Sequence, residues 1–421
     1  APLDNDRYIR QQWEDKAGEN LQVTEGNVHQ AASEENGWRT EFVLGGMSYR
    51  PAVQGILQWL PGRALGLNAE KEVRAARKTL AASMGCKEEE LYFTSCGTES
   101  DNTVLFGAAR AKKRSGKKII VSAVEHPAIL EPARMLESMG CEIVRIGVDR
   151  LCHPDMEQLA AELTEDTVLI SVMGVNNETG TIMPIPEIAK IKADYNKAHG
   201  TDIWLHSDCV QAFGKIPLDL AANYRGVDLL SLSAHKIHGP KGMGALYVRK
   251  GLNLPAFLLG GGQERHLRSG TENTPGIIGF GKAAELATRN LDARIETMRA
   301  CRNFLLEACK TEIPDIRVNS PQDETACPSV LNISFLGTRG EVLLHTLEQD
   351  GIYVSTGSAC SSNHASAKGS HVLNAMGLSP KEIEGAIRFS FSEFNTIEEM
   401  EYTAEKLKAA VRRFRRLGSF R

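Results

Sequence analysis

The feature that most constrains the fold is a regular alternation of short apolar runs and helical patterns between residues 91 and 233. Six runs of apolar or β-branched residues predict strands at Leu91–Thr94, Lys118–Ser122, Glu142–Ile146, Val168–Met173, Ile203–His206 and Asp228–Ser233. Helical patterns near 98–113, 128–139, 154–163 and 185–198 separate most of them. Such an alternation predicts a mostly parallel sheet with helices on both faces, and ligands of these sheets gather at the carboxyl ends of the strands.

Patterns on either side of this region predict further elements. Residues 41–44 predict a short strand, residues 51–60 a short helix and residues 70–84 a longer helix with its apolar residues on one face. Residues 276–306 predict one long helix that leads away from the sheet to a second unit. The strands of that unit are predicted near 329–335, 352–355 and 386–390, and a capping box at Thr396 opens its last helix.

Composition is that of an ordinary globular chain, long enough for two domains or one large domain with an appendage. The 421 residues are 42% hydrophobic, and a net charge of −4 gives no reason to expect a nucleic acid or a membrane surface as partner. No apolar run approaches the roughly 20 residues of a membrane span. The nine cysteines lack the C-x-x-C spacing of a metal or redox site. We therefore expect free thiols, no metal and a cytoplasmic setting.

A strand-like run carries Lys236 into a polar turn that Gly239 and Pro240 close. An ammonium in a partly desolvated, positively charged pocket loses its proton readily, and the free amine can form a Schiff base with an aldehyde. Ser233 and His235 flank the lysine with side chains suited to a phosphate. A lysine at the end of a strand is common, so its interpretation depends on four other segments.

These four segments place chemically useful side chains after predicted strands. Gly97 and Thr98 stand at a helix start, where backbone N–H groups and a hydroxyl can hold a phosphate. His126 offers a flat imidazole that can stack on a flat cofactor, and Asn177 offers an amide. Asp208 follows an apolar strand, and a buried carboxylate needs a cationic or protonated partner such as a pyridine nitrogen.

With the runs at 261–273 and 355–362, these segments resemble the cysteine desulfurases, pyridoxal-phosphate enzymes of the class V aminotransferase fold. The resemblance covers about residues 70–415, with several motifs in the family's order. It implies an α/β transferase of fold type I with a large pyridoxal-phosphate-binding domain at 46–285. A small α+β domain at 286–421 would carry the catalytic cysteine loop, and residues 1–45 would form an N-terminal extension and a small-domain segment.

The resemblance implies a role for each residue that would surround the cofactor. Lys236 would bind pyridoxal 5'-phosphate covalently, His126 would stack on its ring, and Asp208 would pair with the ring nitrogen. Gln211 and Asn177 would lie near the ring's phenolate oxygen or the substrate.

Further roles concern the phosphate and the substrate. The phosphate would be held by Gly97, Thr98, Ser233 and His235. Thr271 would reach the phosphate of a neighbouring subunit, which implies a homodimer. Arg388 would clamp the carboxylate of L-cysteine with its bidentate fork.

Cys360 distinguishes this family from other users of the fold. It lies in a Gly-Ser-Ala-Cys-Ser-Ser tract that cannot pack a core and is expected to form a mobile loop. An exposed thiol whose pKa is lowered by nearby cations is a nucleophile. The resemblance implies that Lys236 takes the substrate's α-proton and that Cys360 receives the sulfur as a persulfide. Alanine would leave, and the sulfur would pass to an acceptor protein for iron–sulfur clusters, thio-cofactors or tRNA.

Two departures from the family pattern leave other functions open. The usual Asp-Asn-Ala-Ala-Thr-Thr-like opening is absent, and residues 42–51 are its counterpart by spacing, with the polar residues replaced. Ser392 and Glu393 follow Phe391, where a basic residue is common nearby in the family. A selenocysteine lyase or a related β-lyase is therefore an alternative. A non-catalytic scaffold of the same fold is a lesser one, since it would have little reason to keep the lysine, aspartate, histidine, cysteine and arginine together.

Overall fold

The computed structural model describes residues 64–356 and 369–418, and the backbone of four strands nearer the N-terminus. These strands, β1 (Leu21–Val23), β2 (His29–Ser33), β3 (Gly37–Leu44) and β4 (Met47–Tyr49), form an antiparallel sheet in chain order. The strand expected at 41–44 lies within β3. The helix expected at 51–60 and the thiol of Cys360 lie outside the described residues.

A seven-stranded sheet is the centre of the fold. Its strands are β5 (Leu91–Thr94), β6 (Lys118–Ser122), β7 (Glu142–Ile146), β8 (Thr167–Ser171), β9 (Trp204–Asp208), β10 (Leu229–Ser233) and β11 (Gly244–Val248). Their order is β5-β11-β10-β9-β8-β6-β7. Only β11 runs against its neighbours, β5 and β10. The predicted mostly parallel sheet is confirmed.

Helices cover both faces of this sheet. They are α1 (Ala64–Ala82), α2 (Gly97–Ala111), α3 (Pro127–Ser138), α4 (Met156–Glu162), α5 (Ile185–His199) and α6 (Thr274–Thr288). Successive strand residues point to opposite faces, so Ile119 joins one hydrophobic cluster and Ile120 the other. Leu229 and Leu230 divide in the same way. Burial on both faces explains why the inner strands β6, β8, β9 and β10 are largely continuous apolar runs in the sequence.

A smaller antiparallel sheet, in the order β12-β13-β14, follows the central one. The elements are α7 (Leu291–Glu312), β12 (Ile316–Val318), β13 (Val330–Phe335), α8 (Gly340–Gln349), α9 (His371–Ala375), α10 (Pro380–Glu384), β14 (Ala386–Ser390) and α11 (Ile397–Gly418). Leu305, Phe335 and Leu407 belong to a separate core here. The domain boundary expected after residue 285 falls inside α6 and stays a prediction.

The structure corrects three expectations about single elements. The long helix predicted over 276–306 is two helices, because Asn290 adopts a φ of 54° between α6 and α7. A left-handed residue cannot continue a right-handed helix. The strand predicted at 352–355 is reduced to one bridge between Ser355 and Arg388. Strand β11 was missed, because its run directly follows a glycine-rich turn. None of the described helices is long and apolar enough to cross a membrane.

Candidate active site

The carboxylate of Asp208 ends β9, a strand that is buried along its whole length. Its side chain accepts a hydrogen bond from the backbone N–H of Val210 at 2.9 Å. Burial raises the pKa of Asp208 to about 6, while that hydrogen bond and the charge of Lys236 act in the opposite direction. The carboxylate is therefore poised to meet a cation or a protonated ring at this edge of the sheet.

Lys236 follows β10, the strand that lies parallel to β9 and pairs Ser231 with Asp208. A short 3-10 turn, Ala234–Ile237, carries the lysine away from the strand end. His238 ends the turn with a φ of 62°, and the N–H of Gly239 donates back to the carbonyl of Ala234 at 2.9 Å. The turn thus holds the lysine at the same sheet edge as the aspartate.

The two candidate phosphate ligands beside the lysine contact each other. Ser233 Oγ and His235 Nδ1 lie 2.8 Å apart. Burial lowers the pKa of His235, and the charges of Lys236, Lys215 and Lys241 lower it further. Surroundings this rich in cations suit an anion such as a phosphate.

His126 caps helix α3 and lies beside the lysine. Its Nδ1 accepts the backbone N–H of Ala128 at 3.1 Å. Burial lowers the pKa of His126, followed by the charges of Lys236 and His371. Because Nδ1 is an acceptor, the neutral ring carries its proton on Nε2. The sheet edge therefore holds an uncharged flat ring.

Helix α2 begins at Gly97, and Cys96 before it makes no side-chain cap. A Cβ on Gly97 would lie 2.7 Å from Val210 Cγ2, so only glycine lets the helix start approach the turn after β9 this closely. Thr98 is exposed in the first helical turn. An N-terminus of this kind offers backbone N–H groups to an anion.

Arg388 reaches the site from β14 of the smaller sheet. Its Nη1 donates to the carbonyl of Asn177 at 2.9 Å, and its buried Nε has no hydrogen-bond partner among the described residues. Glu178, beside Asn177, is 3% exposed and accepts the hydroxyl of Ser370 at 2.5 Å. Burial raises the pKa of Glu178 to about 7, and the charge of Arg388 opposes that rise. One guanidinium edge is thus anchored to the loop after β8.

The side chain of Gln211 is held by Lys215, four residues later. Lys215 Nζ donates to Gln211 Oε1 at 2.6 Å. Burial lowers the pKa of Lys215 to about 8, and the charges of Lys236 and Arg388 also lower it. This lysine is a site residue that the sequence interpretation missed.

Buried ionisable residues below the sheet edge were also missed. Glu125 Oε1 accepts the hydroxyl of Ser122 at 2.5 Å and the N–H of Met173 at 2.8 Å, and burial raises its pKa to about 8. Burial and the charge of Asp208 hold the pKa of Asp101 well above its ordinary value. The position of Glu125, adjacent to His126, is the one sequence signal that could have drawn attention to it.

Thr271 is an expected site residue whose neighbours lie at the end of edge strand β5. It is exposed and lines a pocket together with Thr94 and Ser95. The segment before it is held along β5, where Glu264 accepts hydrogen bonds from Arg77 at 2.7 and 2.8 Å and from the N–H of Phe93 at 2.9 Å. The roles assigned to individual residues remain predictions. Within the described ranges, no group of three or more His, Cys, Asp or Glu side chains could hold a metal ion.

Known proteins share this architecture. The sequence model of the family described as Aminotransferase class-V matches residues 62–403. Cysteine desulfurase IscS of Dictyoglomus turgidum is 42% identical over 356 residues, which are 85% of this chain and 88% of that protein. A NifS-like protein of known structure has a TM-score of 0.76 and 35% identity, covering 85% of this chain and 93% of its own. SspA, solved in complex with cysteine, has a TM-score of 0.67 and 29% identity, covering 82% and 97%.

Proposed function

Because the chain belongs to the cysteine desulfurase family of class V aminotransferases, enzymes that depend on pyridoxal phosphate, we propose that it converts L-cysteine to L-alanine and transfers the sulfur to Cys360. The observation that carries this proposal is that a buried carboxylate and a half-buried amine come together at one sheet edge. The carboxylate of Asp208 and the amine of Lys236 lie at the ends of neighbouring parallel strands and influence each other electrostatically.

The residues at this edge fit pyridoxal phosphate. A carboxylate buried against a backbone N–H suits a protonated ring nitrogen, and the uncharged ring of His126 suits the flat face. The helix start at Gly97 and the cations around His235 suit the phosphate. When bound, the cofactor withdraws electron density from the substrate's Cα and weakens the adjacent C–H bond.

The chain's own residues then perform the remaining steps. Arg388 binds the substrate carboxylate, with one Nη already held by Asn177. The amine of Lys236 takes the α-proton. The thiolate of Cys360 attacks the substrate's sulfur, so that an S–S bond forms while the Cβ–S bond breaks. The carbon fragment takes up protons and leaves as alanine, and Cys360 keeps the sulfur as a persulfide.

Three further features belong to the same proposal. Sulfur passes from Cys360 to an acceptor protein that supplies iron–sulfur clusters, thio-cofactors or tRNA thiolation. The enzyme is a homodimer, supported by the exposed position of Thr271, and light scattering would measure its mass directly. Its setting is cytoplasmic, in agreement with eight free thiols among the described cysteines.

Replacing Cys360 tests the proposed reaction. In Cys360→Ser the visible absorption of bound cofactor should persist, while alanine formation from L-cysteine should fall by about 100-fold or more, since the hydroxyl is a far weaker nucleophile. Cys141→Ser is the matched control, because Cys141 is half-buried beside β7 and away from the site. An unchanged rate of alanine formation in Cys360→Ser would contradict the proposal.

The same assay distinguishes a cysteine desulfurase from the alternative, a selenocysteine lyase. A selenocysteine lyase would process selenocysteine and barely act on cysteine, so the relative rates on the two amino acids decide between them. We expect rapid alanine formation from cysteine.

A further inference from the structure

We propose that Lys215 is a positioning residue that fixes the orientation of the Gln211 amide, so that its N–H group is directed to the ring oxygen of the cofactor. This inference rests on the proposed function, because the amide has such an oxygen to meet only if pyridoxal phosphate binds at the edge formed by Asp208 and Lys236.

The two side chains belong to the turns that directly follow Asp208. The first is a single helical turn, in which the N–H of Phe213 donates to the carbonyl of Cys209 at 3.0 Å. Gly214, with a φ of 72°, ends that turn, and the N–H of Lys215 donates to the carbonyl of Ala212 at 3.1 Å. Lys215 Nζ and Gln211 Oε1 lie 2.6 Å apart, a short distance for a hydrogen bond from an ammonium.

The chemistry of the pair allows one orientation. A glutamine amide accepts at its oxygen and donates at its nitrogen, whereas an ammonium can only donate. As an ammonium, below its pKa of about 8, Lys215 must therefore face Oε1, and Nε2 of Gln211 must point away from it. The charge of the ammonium also polarises the amide and makes its N–H a stronger donor. Without Lys215, the two orientations of the amide would differ little in free energy.

The surroundings of Lys215 argue against a purely structural lysine. Burial disfavours its ammonium form and so lowers its pKa, and the charges of Lys236 and Arg388 lower it further. Keeping a cation in such a place costs free energy, and perturbed lysines of this kind concentrate at functional sites. The hydrogen bond that orients the Gln211 amide is a role that would explain why a lysine is kept at this position.

The test is a pH titration of the visible absorption of the holoenzyme. Lys215→Met should raise the pH midpoint of the absorption change by about half to one unit. Loss of one oriented hydrogen bond to the ring oxygen makes the bound cofactor hold its titrating proton more tightly. Lys215→Arg, which also can only donate, should restore most of the wild-type midpoint. Lys250→Met is the control, since that side chain is 69% exposed beside Glu89, and it should leave the midpoint unchanged.

A double-mutant cycle separates positioning from bare charge. If Lys215 acts through the amide, Lys215→Met should add almost nothing in a Gln211→Leu background. Equal shifts in both backgrounds, or no shift in Lys215→Met, would overturn the inference while leaving the proposed function intact. Lys215→Gln, whose amide can present either end, serves the same comparison if Lys215→Met does not fold. A wild-type protein that binds no pyridoxal phosphate overturns both proposals.

Discussion

Asp208 and Lys236 lie at the ends of two neighbouring strands, whereas Arg388 reaches the site from a different sheet. The first two residues come from consecutive strand–turn units, β9 and β10, which pair in parallel. The arginine sits on β14 and is held by Asn177, 211 positions earlier in the chain. Glu178 and Ser370, a contact over 192 positions, lie beside it. The proposed cofactor side, around Asp208 and Lys236, is thus made by local strand ends, and the proposed substrate side, around Arg388, by packing between distant segments.

The two sides also differ in how their charges are satisfied. On the cofactor side, Asp208 and Asp101 are buried carboxylates with raised pKa values, and Asp101 Oδ1 has no hydrogen bond among the described residues. On the substrate side, Glu178 accepts a short hydrogen bond from Ser370 and lies in the field of Arg388. We expect the cofactor side to depend on a bound protonated ring and the substrate side to be preformed.

The largest expected effect comes from Asp208→Asn. An amide has no charge with which to keep the ring nitrogen protonated, so alanine formation should fall by about 1,000-fold or more. Lys236 should still bind the cofactor, so the visible absorption should remain. Rate measurements under saturating L-cysteine would show the loss. Asp202→Asn, at an exposed side chain, is the control, and a rate within threefold of wild type in Asp208→Asn would contradict the expected role.

An intermediate effect is expected from Arg388→Lys. Lysine keeps the charge but loses the planar fork, so KM for L-cysteine should rise by about 10- to 100-fold with a smaller change in kcat. Arg317→Lys on β12 of the same sheet is the matched control, since that arginine pairs with Glu382. If the substitution at Arg388 lowered only kcat, the carboxylate clamp would have to be assigned to another residue.

The smallest effect, on stability, is expected from Glu125→Gln in cofactor-free protein. Burial raises the folded-state pKa of this carboxyl to about 8, so its contribution to stability is present below about pH 4.5 and is lost as the pH rises through 8. Glutamine keeps the Oε1 acceptor without a charge. Glu125→Gln should therefore match wild type at pH 4 and exceed its free energy of unfolding at pH 9 by about 2 to 5 kcal/mol.

Urea denaturation at the two pH values measures this difference. Glu165→Gln is a suitable control, because its side chain is exposed and should change neither value. Equal stabilities of wild type and Glu125→Gln at pH 9 would mean that the ionised carboxylate of Glu125 is solvated by water or paired with a counter-charge. The contrast between the unpaired carboxylate oxygens near Asp208 and the hydrogen-bonded Glu178 would then be weaker.

Residues with a local signal were predictable. Asp208 and Lys236 each end an apolar run, and parallel strands bring such ends to one edge. Lys215 was not predictable, because a lysine four residues after a glutamine does not by itself indicate a site residue. Its contact with Gln211 and its neighbouring cations are known only from the structure. Glu125 and Glu178 were missed because a single carboxylate in a loop is usually exposed, and only packing shows that both are buried.

By itself, the sequence determined the strand–helix alternation, the parallel sheet and the sheet edge at which Asp208 and Lys236 lie, because these follow from periodicity and from short-range sterics. Only the tertiary structure decided the break at Asn290, the antiparallel β11 and the anchoring of Arg388 by Asn177. Burial and charge–charge distances depend on segments far apart in the chain. The pKa values and hydrogen bonds that prepare this site therefore appear only when those segments pack together.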